Sequence, residues 1–317
     1  MSDLQHFGIT VTNQKSAHKF YTHLLKLPYL ATTVNRGKKF DRMYRLEGSV
    51  NRLQWFQLLD EGVELFYLPT HPPRHREVSD IRLPGYRYIS FWVKGFDDYI
   101  ERIERSGVSL RTADTHYGRC ALLQDPDGLN VILFEKPEPA KGGRIDSLGE
   151  AGLTVTSFKG YEEFFSVLES APEVNGEDDF IRDLFQINES LKTRRYGYIR
   201  LLHFPHRQMQ ETERFFPYWG AQYRGYFPDP GLKHVAYYVD DIHAFYHKAR
   251  KAGIYFLFPP CSIAGGGEMT YFLDPEGNTI EVMQIPTIIR AGAYLVGSLR
   301  MQQMAIFDTV KRKLKKS

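Results

Sequence analysis

The sequence predicts an α+β protein built from repeated βαβββ units. Residues 232–284 read as strand, helix, strand, strand, strand, and the last two strands are separated by the turn Asp274-Pro275-Glu276-Gly277-Asn278. Proline and glycine preset the backbone dihedrals of such a tight turn. Residues 88–135 repeat the same order of elements around Asp125-Pro126-Asp127-Gly128. A repeat of this kind determines the fold before any local interpretation is made.

Two further units are visible at their starts. Residues 6–12 and residues 150–156 have similar strand patterns, and each is followed by an aromatic pair, Phe20-Tyr21 and Phe164-Phe165. Four units, here called modules one to four, of roughly 50 to 85 residues each therefore tile the chain.

A linker and a tail divide the chain further. The polar Pro/Gly-rich run 136–143 follows a predicted last strand and is typical of an interdomain linker. We expect an N-terminal domain at 1–136 from modules one and two, and a C-terminal domain at 145–287 from modules three and four. The tail, 288–317, has apolar residues near helical spacing and a basic end. It is either a membrane-surface or partner helix or a packed extension with a solvated end.

Bulk composition is that of an ordinary globular protein. With 317 residues, 42% hydrophobic, the chain can bury two cores, and its net charge of +3 is too small to indicate nucleic-acid binding. No run approaches 18 apolar residues, and residues 1–6 lack a signal-peptide pattern, so we expect no integral membrane segment and a cytoplasmic location. Two cysteines, Cys120 and Cys261, do not indicate a disulfide framework. Assembly into a homo-oligomer is left open.

These motifs resemble the vicinal oxygen chelate superfamily, which includes glyoxalases, bleomycin-resistance proteins and extradiol dioxygenases. The resemblance covers about residues 4–287 and is strongest over 231–284 and 88–135. It implies that each domain is a pair of modules forming a half-barrel around a cavity. Four modules in one chain is the arrangement of type I extradiol dioxygenases and of 4-hydroxyphenylpyruvate-dioxygenase-like proteins.

The resemblance also implies where metal ligands lie, because in this superfamily they come from the first and last strands of each module. Those positions hold His6 and Glu64 in module one, Tyr88 and Ile132 in module two, Glu150 and Arg200 in module three, and His234 and Glu281 in module four. We therefore expect one divalent ion, Fe(II), Mn(II) or Zn(II), in the C-terminal domain, held by His234, Glu281 and Glu150. The N-terminal domain, with only one ligand pair, is expected to be metal-free.

Two departures from the dioxygenase pattern bear on the chemistry. Glu150 stands where those enzymes carry a histidine, so it could act as a ligand or as a base. Tyr271 is retained as a hydrogen-bond donor beside the metal, but the histidine that precedes it in the pattern is absent. We assign catalytic roles to Glu150 and Tyr271 and place Arg200 and Tyr238 in the substrate pocket. A buried Arg200 needs Glu150 or an anionic substrate as its partner.

Three functions remain open. The first is a dioxygenase-like metalloenzyme acting on a small molecule that is chelated through two adjacent oxygens. The second is a metal-dependent isomerase, epimerase or lyase that uses Glu150 as the base. The third is a metal-free binding protein of the bleomycin-resistance kind, which sequesters a ligand in an aromatic cavity.

Overall fold

The computed structural model contains four modules and the start of the tail. It describes residues 3–74, 77–115, 118–177, 179–205, 216–218, 221–223, 226–263, 266–292, 294–295 and 298–299.

Each module has the predicted βαβββ order, and modules one and three carry one further helix. Module one comprises β1 (Leu4–Thr10), α1 (Gln14–Lys19) with its π-helical continuation (Phe20–Leu24), β2 (Tyr29–Arg36), α2 (Lys38–Tyr44), β3 (Val50–Gln57) and β4 (Gly62–Tyr67). Module two comprises β5 (Gly85–Lys94), α3 (Phe96–Glu104), β6 (Arg111–Thr115), β7 (Gly118–Gln124) and β8 (Asn130–Lys136). Module three comprises β9 (Arg144–Thr154), α4 (Tyr161–Val167), β10 (Pro172–Glu177), α5 (Asp179–Phe185), β11 (Lys192–Tyr196) and β12 (Ile199–His203). After a hairpin of β13 (Phe216–Tyr218) and β14 (Ala221–Tyr223), module four comprises β15 (Gly231–Tyr238), α6 (Ile242–Lys251), β16 (Cys261–Ser262), β17 (Glu268–Leu273) and β18 (Thr279–Gln284).

The modules pair in a different order from their order in the chain. One eight-stranded sheet, which we call sheet A, runs β16-β17-β18-β15-β1-β4-β3-β2 and joins module four to module one. The other, sheet B, runs β10-β11-β12-β9-β5-β8-β7-β6 and joins module three to module two. The α+β class with two sheets of paired modules is confirmed. The predicted pairing of module one with two and of three with four is wrong, because β1 runs antiparallel to β15 and β5 runs antiparallel to β9.

The two sheets pack on one shared core and each has a second, separate core. The central strands are buried on both faces, as the unbroken burial of β1 illustrates. Phe7 and Val235 face the shared core, whereas Phe66 and Tyr271 belong to a cluster on the other face of sheet A. The corresponding face of sheet B holds its own cluster, to which α5 contributes Phe180 and neighbouring side chains. Alternate side chains of one strand thus serve different cores.

Consecutive modules contact each other through the Asp-Pro-x-Gly turns. The Tyr21 hydroxyl of module one donates to Asp125 Oδ2 of module two at 3.1 Å, and the Tyr161 hydroxyl of module three donates to Asp274 Oδ2 of module four at 2.8 Å. Burial raises the pKa of Asp125 to about 7 and that of Asp274 to about 6. Buried polar contacts therefore link module one to two and module three to four. Strand pairing within the sheets links module one to four and module two to three.

The start of the tail is held against module one. Residues 287–292 are helical, and Arg290 Nη2 lies 2.9 Å from Asp3 Oδ2. Ile288 is 82% exposed. The rest of the predicted helical, basic tail, from residue 300 onwards, lies outside the described residues.

We predict that Tyr161→Phe lowers the free energy of unfolding by about 1.5–3 kcal/mol above pH 7, because the variant removes one of the hydrogen bonds to the buried Asp274 carboxylate, which keeps those from Glu276 and Asn278. Chemical denaturation followed by circular dichroism measures the change. Tyr246→Phe, on the outer side of α6, is the matched control and should stay within about 0.5 kcal/mol of the unmodified protein. Equal loss in both variants would contradict a linking role for the turn.

Candidate metal centre

Four adjacent strands of sheet A bring two histidines and two glutamates together. His6 lies on β1, Glu64 on β4, His234 on β15 and Glu281 on β18, which are consecutive in the sheet. All four are buried, with Glu64 the most exposed at 5%. The strand register explains the convergence, since Gly8 of β1 stands opposite His234 on one side and Glu64 on the other.

The donor atoms of these side chains meet at one point. His6 Nε2 lies 2.9 Å from His234 Nε2, 3.4 Å from Glu64 Oε2 and 3.5 Å from Glu281 Oε2. His234 Nε2 lies 3.0 Å from the same Glu281 oxygen. Donor atoms of His6, His234 and Glu281 all lie within 4.8 Å of one another.

These separations fit a single divalent ion. With metal-ligand bonds of about 2.1 Å, neighbouring donors are about 3.0 Å apart in an octahedron and about 3.4 Å apart in a tetrahedron. Imidazole and carboxylate are also the donors that Zn, Mn and Fe(II) share. His6, His234 and Glu281 can therefore hold a metal ion, and Glu64 lies close to this group at His6.

Burial and mutual contacts shift the pKa values of the glutamates and of His6 in the cluster. Burial, together with the negative charge of Glu281, raises the pKa of Glu64 well above its ordinary value. Burial also opposes ionisation of Glu281, but hydrogen bonds from His234 and His6 outweigh it and lower that pKa to about 2. Desolvation lowers the pKa of His6. This shift favours the neutral imidazole of His6, the form in which histidine binds a metal ion.

The close approach of His234 to the backbone of β1 depends on Gly8. A Cβ atom at Gly8 would lie 2.1 Å from His234 Cε1 and 2.3 Å from Nε2. Glycine is therefore required for the ring to reach its position. On the other side, His6 Nδ1 contacts the side-chain oxygen of Gln5, which orients the ring in the manner usual for metal-bound histidines.

Aromatic side chains surround the cluster. The Trp55 ring lies 5.7 Å from that of His6, and the Phe66 and Tyr271 rings lie 5.7 and 5.1 Å from that of His234. Burial, reinforced by the charge of Glu281, raises the pKa of Tyr271 well above its ordinary value, so its hydroxyl keeps its proton. Tyr271 thus stands beside the cluster; its catalytic role stays a prediction.

Sheet B repeats this geometry with different side chains. Gly152 stands opposite Tyr88 and Arg200, as Gly8 stands opposite His234 and Glu64. A Cβ at Gly152 would lie 1.9 Å from Tyr88 Cε1, so the phenol of Tyr88 occupies the place of the His234 ring. Glu150 then corresponds to His6, and Ile132 to Glu281.

Glu150 is therefore not part of the cluster, and the predicted ligand set must be corrected. Arg200 donates to Glu150 from Nε at 2.5 Å and from Nη2 at 3.0 Å, and Tyr88 donates its hydroxyl to Oε1 at 2.7 Å. A carboxylate held by a buried guanidinium and a phenol is already satisfied. His6 and Glu64, which were expected to lie in a metal-free domain, take its place beside His234 and Glu281.

The two predicted pocket residues lie apart. Arg200 is 1% exposed and pairs with Glu150 in sheet B. Tyr238 lies in sheet A beneath Arg290, whose guanidinium carbon is 4.0 Å from the ring centroid. Arg200 thus belongs to the other sheet, and Tyr238 hydrogen-bonds to Gln5, the residue that contacts His6.

The sheet architecture and the histidine-glutamate cluster together define the class, a four-module protein with a candidate divalent-metal centre in one half. The family model described as the Glyoxalase/Bleomycin resistance protein/Dioxygenase superfamily matches residues 3–133 and 195–282. The chain belongs to this superfamily.

Solved structures agree on the fold. Two variants of glyoxalase I from Zea mays are each 16% identical over 89% of this chain, covering 93% and 92% of the maize chains, with TM-scores of 0.58. A Bacillus subtilis protein named as a proposed dioxygenase is 15% identical over 89% of this chain and 85% of its own, with a TM-score of 0.60. No curated protein sequence matches significantly.

Helices in the described part of the chain are too short or too polar to cross a bilayer.

We predict that Gly8→Ala displaces the His234 ring and lowers divalent-metal affinity by at least about tenfold, because the added methyl group occupies the position of the imidazole. Gly152→Ala is the matched control, since it creates the same clash with Tyr88 in sheet B. Both variants should lose stability by a similar amount on thermal denaturation, but only Gly8→Ala should lose metal in equilibrium dialysis. Equal metal binding by the two variants would contradict the assigned site.

Proposed function

We propose that this protein is a divalent-metal-dependent isomerase or lyase that moves a proton next to a carbonyl group. The observation that supports this proposal is the group of ligand-type side chains His6, His234 and Glu281 in sheet A, with a second carboxylate, Glu64, 3.4 Å from His6. When bound, the ion supplies a Lewis acid that stabilises negative charge developing on substrate oxygens.

The number of protein ligands favours this class of reaction. His6, His234 and Glu281 would hold the ion together with Glu64, and this set would leave less room for O₂ beside a chelated substrate than three protein ligands would. Glu64 would leave the ion when it acts as a base. A dioxygenase that binds both its substrate and O₂ at the metal needs three open positions, as a two-histidine, one-carboxylate set provides. Two carboxylates and two neutral imidazoles also balance the charge of a divalent ion.

Glu64 is our candidate for the base, in place of Glu150. Enzymes that transfer protons often contain two carboxyls whose environments drive their pKa values apart. Here the pKa of Glu64 is raised by burial, while hydrogen bonds from the two histidines lower that of Glu281 to about 2. A carboxylate with a raised pKa accepts a proton from carbon more readily. The protonated Tyr271 hydroxyl can donate a hydrogen bond within the same cluster.

A second candidate is a dioxygenase that uses His6, His234 and Glu281 alone. These three donors form the tightest group, whereas Glu64 approaches it at His6, at 3.4 Å. If Glu64 did not bind the ion, the remaining two-histidine, one-carboxylate set would suit the chemistry of an oxygenase. Neither proposal uses Glu150 as ligand or base, because it pairs with Arg200 in sheet B.

Metal content tests the centre directly. We predict about one divalent ion per chain in the purified protein, measured by plasma mass spectrometry. His6→Ala and His234→Ala should each lower it at least tenfold, because each removes a protein ligand. Glu150→Gln alters the position in sheet B that corresponds to His6 and should retain the ion. Metal retained in both histidine variants, or lost in Glu150→Gln, would overturn the assignment.

Isotope exchange tests the reaction. With metal-loaded protein under argon, we predict deuterium exchange from solvent at the carbon next to the carbonyl in a panel of 2-hydroxyketones and hemithioacetals. Glu64→Gln should slow the exchange by at least about 100-fold while keeping more metal than the histidine variants. Oxygen uptake with Fe(II) and a catechol, without exchange, would favour the dioxygenase instead. Metal binding with neither activity would favour a binding protein.

A further inference from the structure

The described part of the tail exposes apolar side chains. Residues 287–292, 294–295 and 298–299 are helical. Six large hydrophobic side chains are exposed in the part of the chain that the structure describes, and five of them belong to the tail: Ile288, Ile289, Tyr294, Leu295 and Leu299. Exposed apolar surface that is concentrated in one segment indicates a contact with a partner, whereas scattered exposed side chains do not.

The contacts of Arg290 determine which side of the tail faces outwards. Its guanidinium lies over the ring of Tyr238 and pairs with Asp3 at 2.9 Å. At about 3.6 residues per turn, Ile288 lies about 200° around the helix from Arg290, so it points away from the body of the protein. The 82% exposure of Ile288 agrees with this direction.

The outward side of the tail is apolar beyond its first turn. Leu295 follows Ile288 by seven residues and Leu299 follows it by eleven, spacings that place all three on one side of a helix. Each of the three is 50% or more exposed. We call Ile288, Leu295 and Leu299 the apolar stripe.

The positive charge of the chain is concentrated in the tail. Residues 288–317 hold seven of the 41 lysines and arginines and one of the 38 acidic residues, so their formal net charge is +6. Residues 1–287 hold the other 34 cations and 37 acids and carry −3, which gives the chain its net +3. Five of the seven cations lie between residues 311 and 316. The charge of the tail therefore favours an anionic surface as its partner.

Two other partners fit less well. A second copy of the chain would bring two tails of charge +6 together, and like charges repel. Nucleic acid would neutralise the cations, but its phosphate backbone offers the apolar stripe nothing apolar to contact. A bilayer that contains anionic lipid offers acyl chains to the stripe and negative headgroups to the cations.

We propose that the tail is a docking surface for an anionic lipid bilayer. The apolar stripe enters the boundary between headgroups and acyl chains, and the cations contact the headgroups, so the tail lies in the plane of the surface and does not cross it. Arg290 keeps the start of the tail on the body of the protein, so docking holds the folded chain at the membrane. This role is independent of the metal centre.

Vesicle sedimentation with the full chain tests the proposal. The probes are vesicles of phosphatidylcholine alone and vesicles with about 30% phosphatidylserine. We expect binding to the anionic vesicles to be at least about tenfold stronger, and to fall at least about tenfold when NaCl is raised from about 0.1 to about 0.5 M. Absence of binding, or equal binding to both kinds of vesicle, would overturn the proposal.

One variant removes part of the apolar stripe. Leu295→Glu should weaken binding to the anionic vesicles at least about tenfold, because a charged side chain replaces one that enters the bilayer. Val34→Glu is the matched control, since Val34 on β2 is 57% exposed and is the one exposed large hydrophobic residue outside the tail in the described part of the chain. Both variants should keep the circular dichroism spectrum of the unmodified protein, and only Leu295→Glu should lose binding. An equal effect of the two changes would contradict the assigned surface.

Charge reversal tests the cations. Lys313→Glu combined with Lys316→Glu, and Lys15→Glu combined with Lys19→Glu on α1, each lower the formal net charge from +3 to −1. Only the tail pair should lower binding to the anionic vesicles at least about tenfold, and equal losses would show that net charge alone acts. Size-exclusion chromatography with light scattering tests the second copy as partner. A dimer that Leu295→Glu dissociates, in a protein that does not bind vesicles, would overturn the proposal in favour of self-association.

Discussion

The antiparallel pairing of β1 with β15 is the contact on which the candidate site depends. It joins the first strand of module one to the first strand of module four, and it places Gly8 opposite His234. Each of these strands then carries a last strand at its other side, β4 beside β1 and β18 beside β15, which adds Glu64 and Glu281. A shift of one residue in the central pairing would turn one histidine away from the cavity, because side chains alternate between the faces of a strand. The register is fixed in turn by burial on both faces, since Phe7 and Val235 fill the shared core from the opposite side.

The same scaffold supports opposite electrostatics in the two sheets. In sheet A, two buried carboxylates face two imidazoles, and the arrangement attracts a cation. In sheet B, a guanidinium occupies the place of one carboxylate and satisfies Glu150 internally, with Tyr88 as a further donor. The glycine that admits the ring is present in both, at Gly8 and Gly152. The two sheets thus share their backbone geometry. The side chains at the positions of His6, Glu64, His234 and Glu281 differ, and they give sheet A a candidate ligand set and sheet B an internal ion pair.

Much of this could be predicted from the sequence, but one long-range feature could not. The order of elements and the Asp-Pro-x-Gly turns predicted the βαβββ units, and the family resemblance pointed to His6, Glu64, His234 and Glu281 individually. The pairing of modules was wrong because local patterns carry no information on which strand edges meet. A usable signal was nevertheless present. Pairing module one with four collects two histidines and two glutamates in one cavity, whereas pairing consecutive modules divides these four residues between two cavities. Arg200 pointed the same way, because it needed Glu150 as its partner.

The pairing of module one with four and of module two with three also sets the order in which the two sheets can form during synthesis. Sheet B uses strands from one continuous stretch, β5 to β12, so it can close once residue 203 has left the ribosome. Module one is made first, yet the edge of β1 that accepts β15 must wait for residues 231–238. Until then an apolar strand edge with unpaired backbone groups faces solvent, which is the kind of edge that joins other chains. The nascent protein therefore passes through a stage in which its earliest strand is its most vulnerable to aggregation, and that stage ends only when its last module arrives.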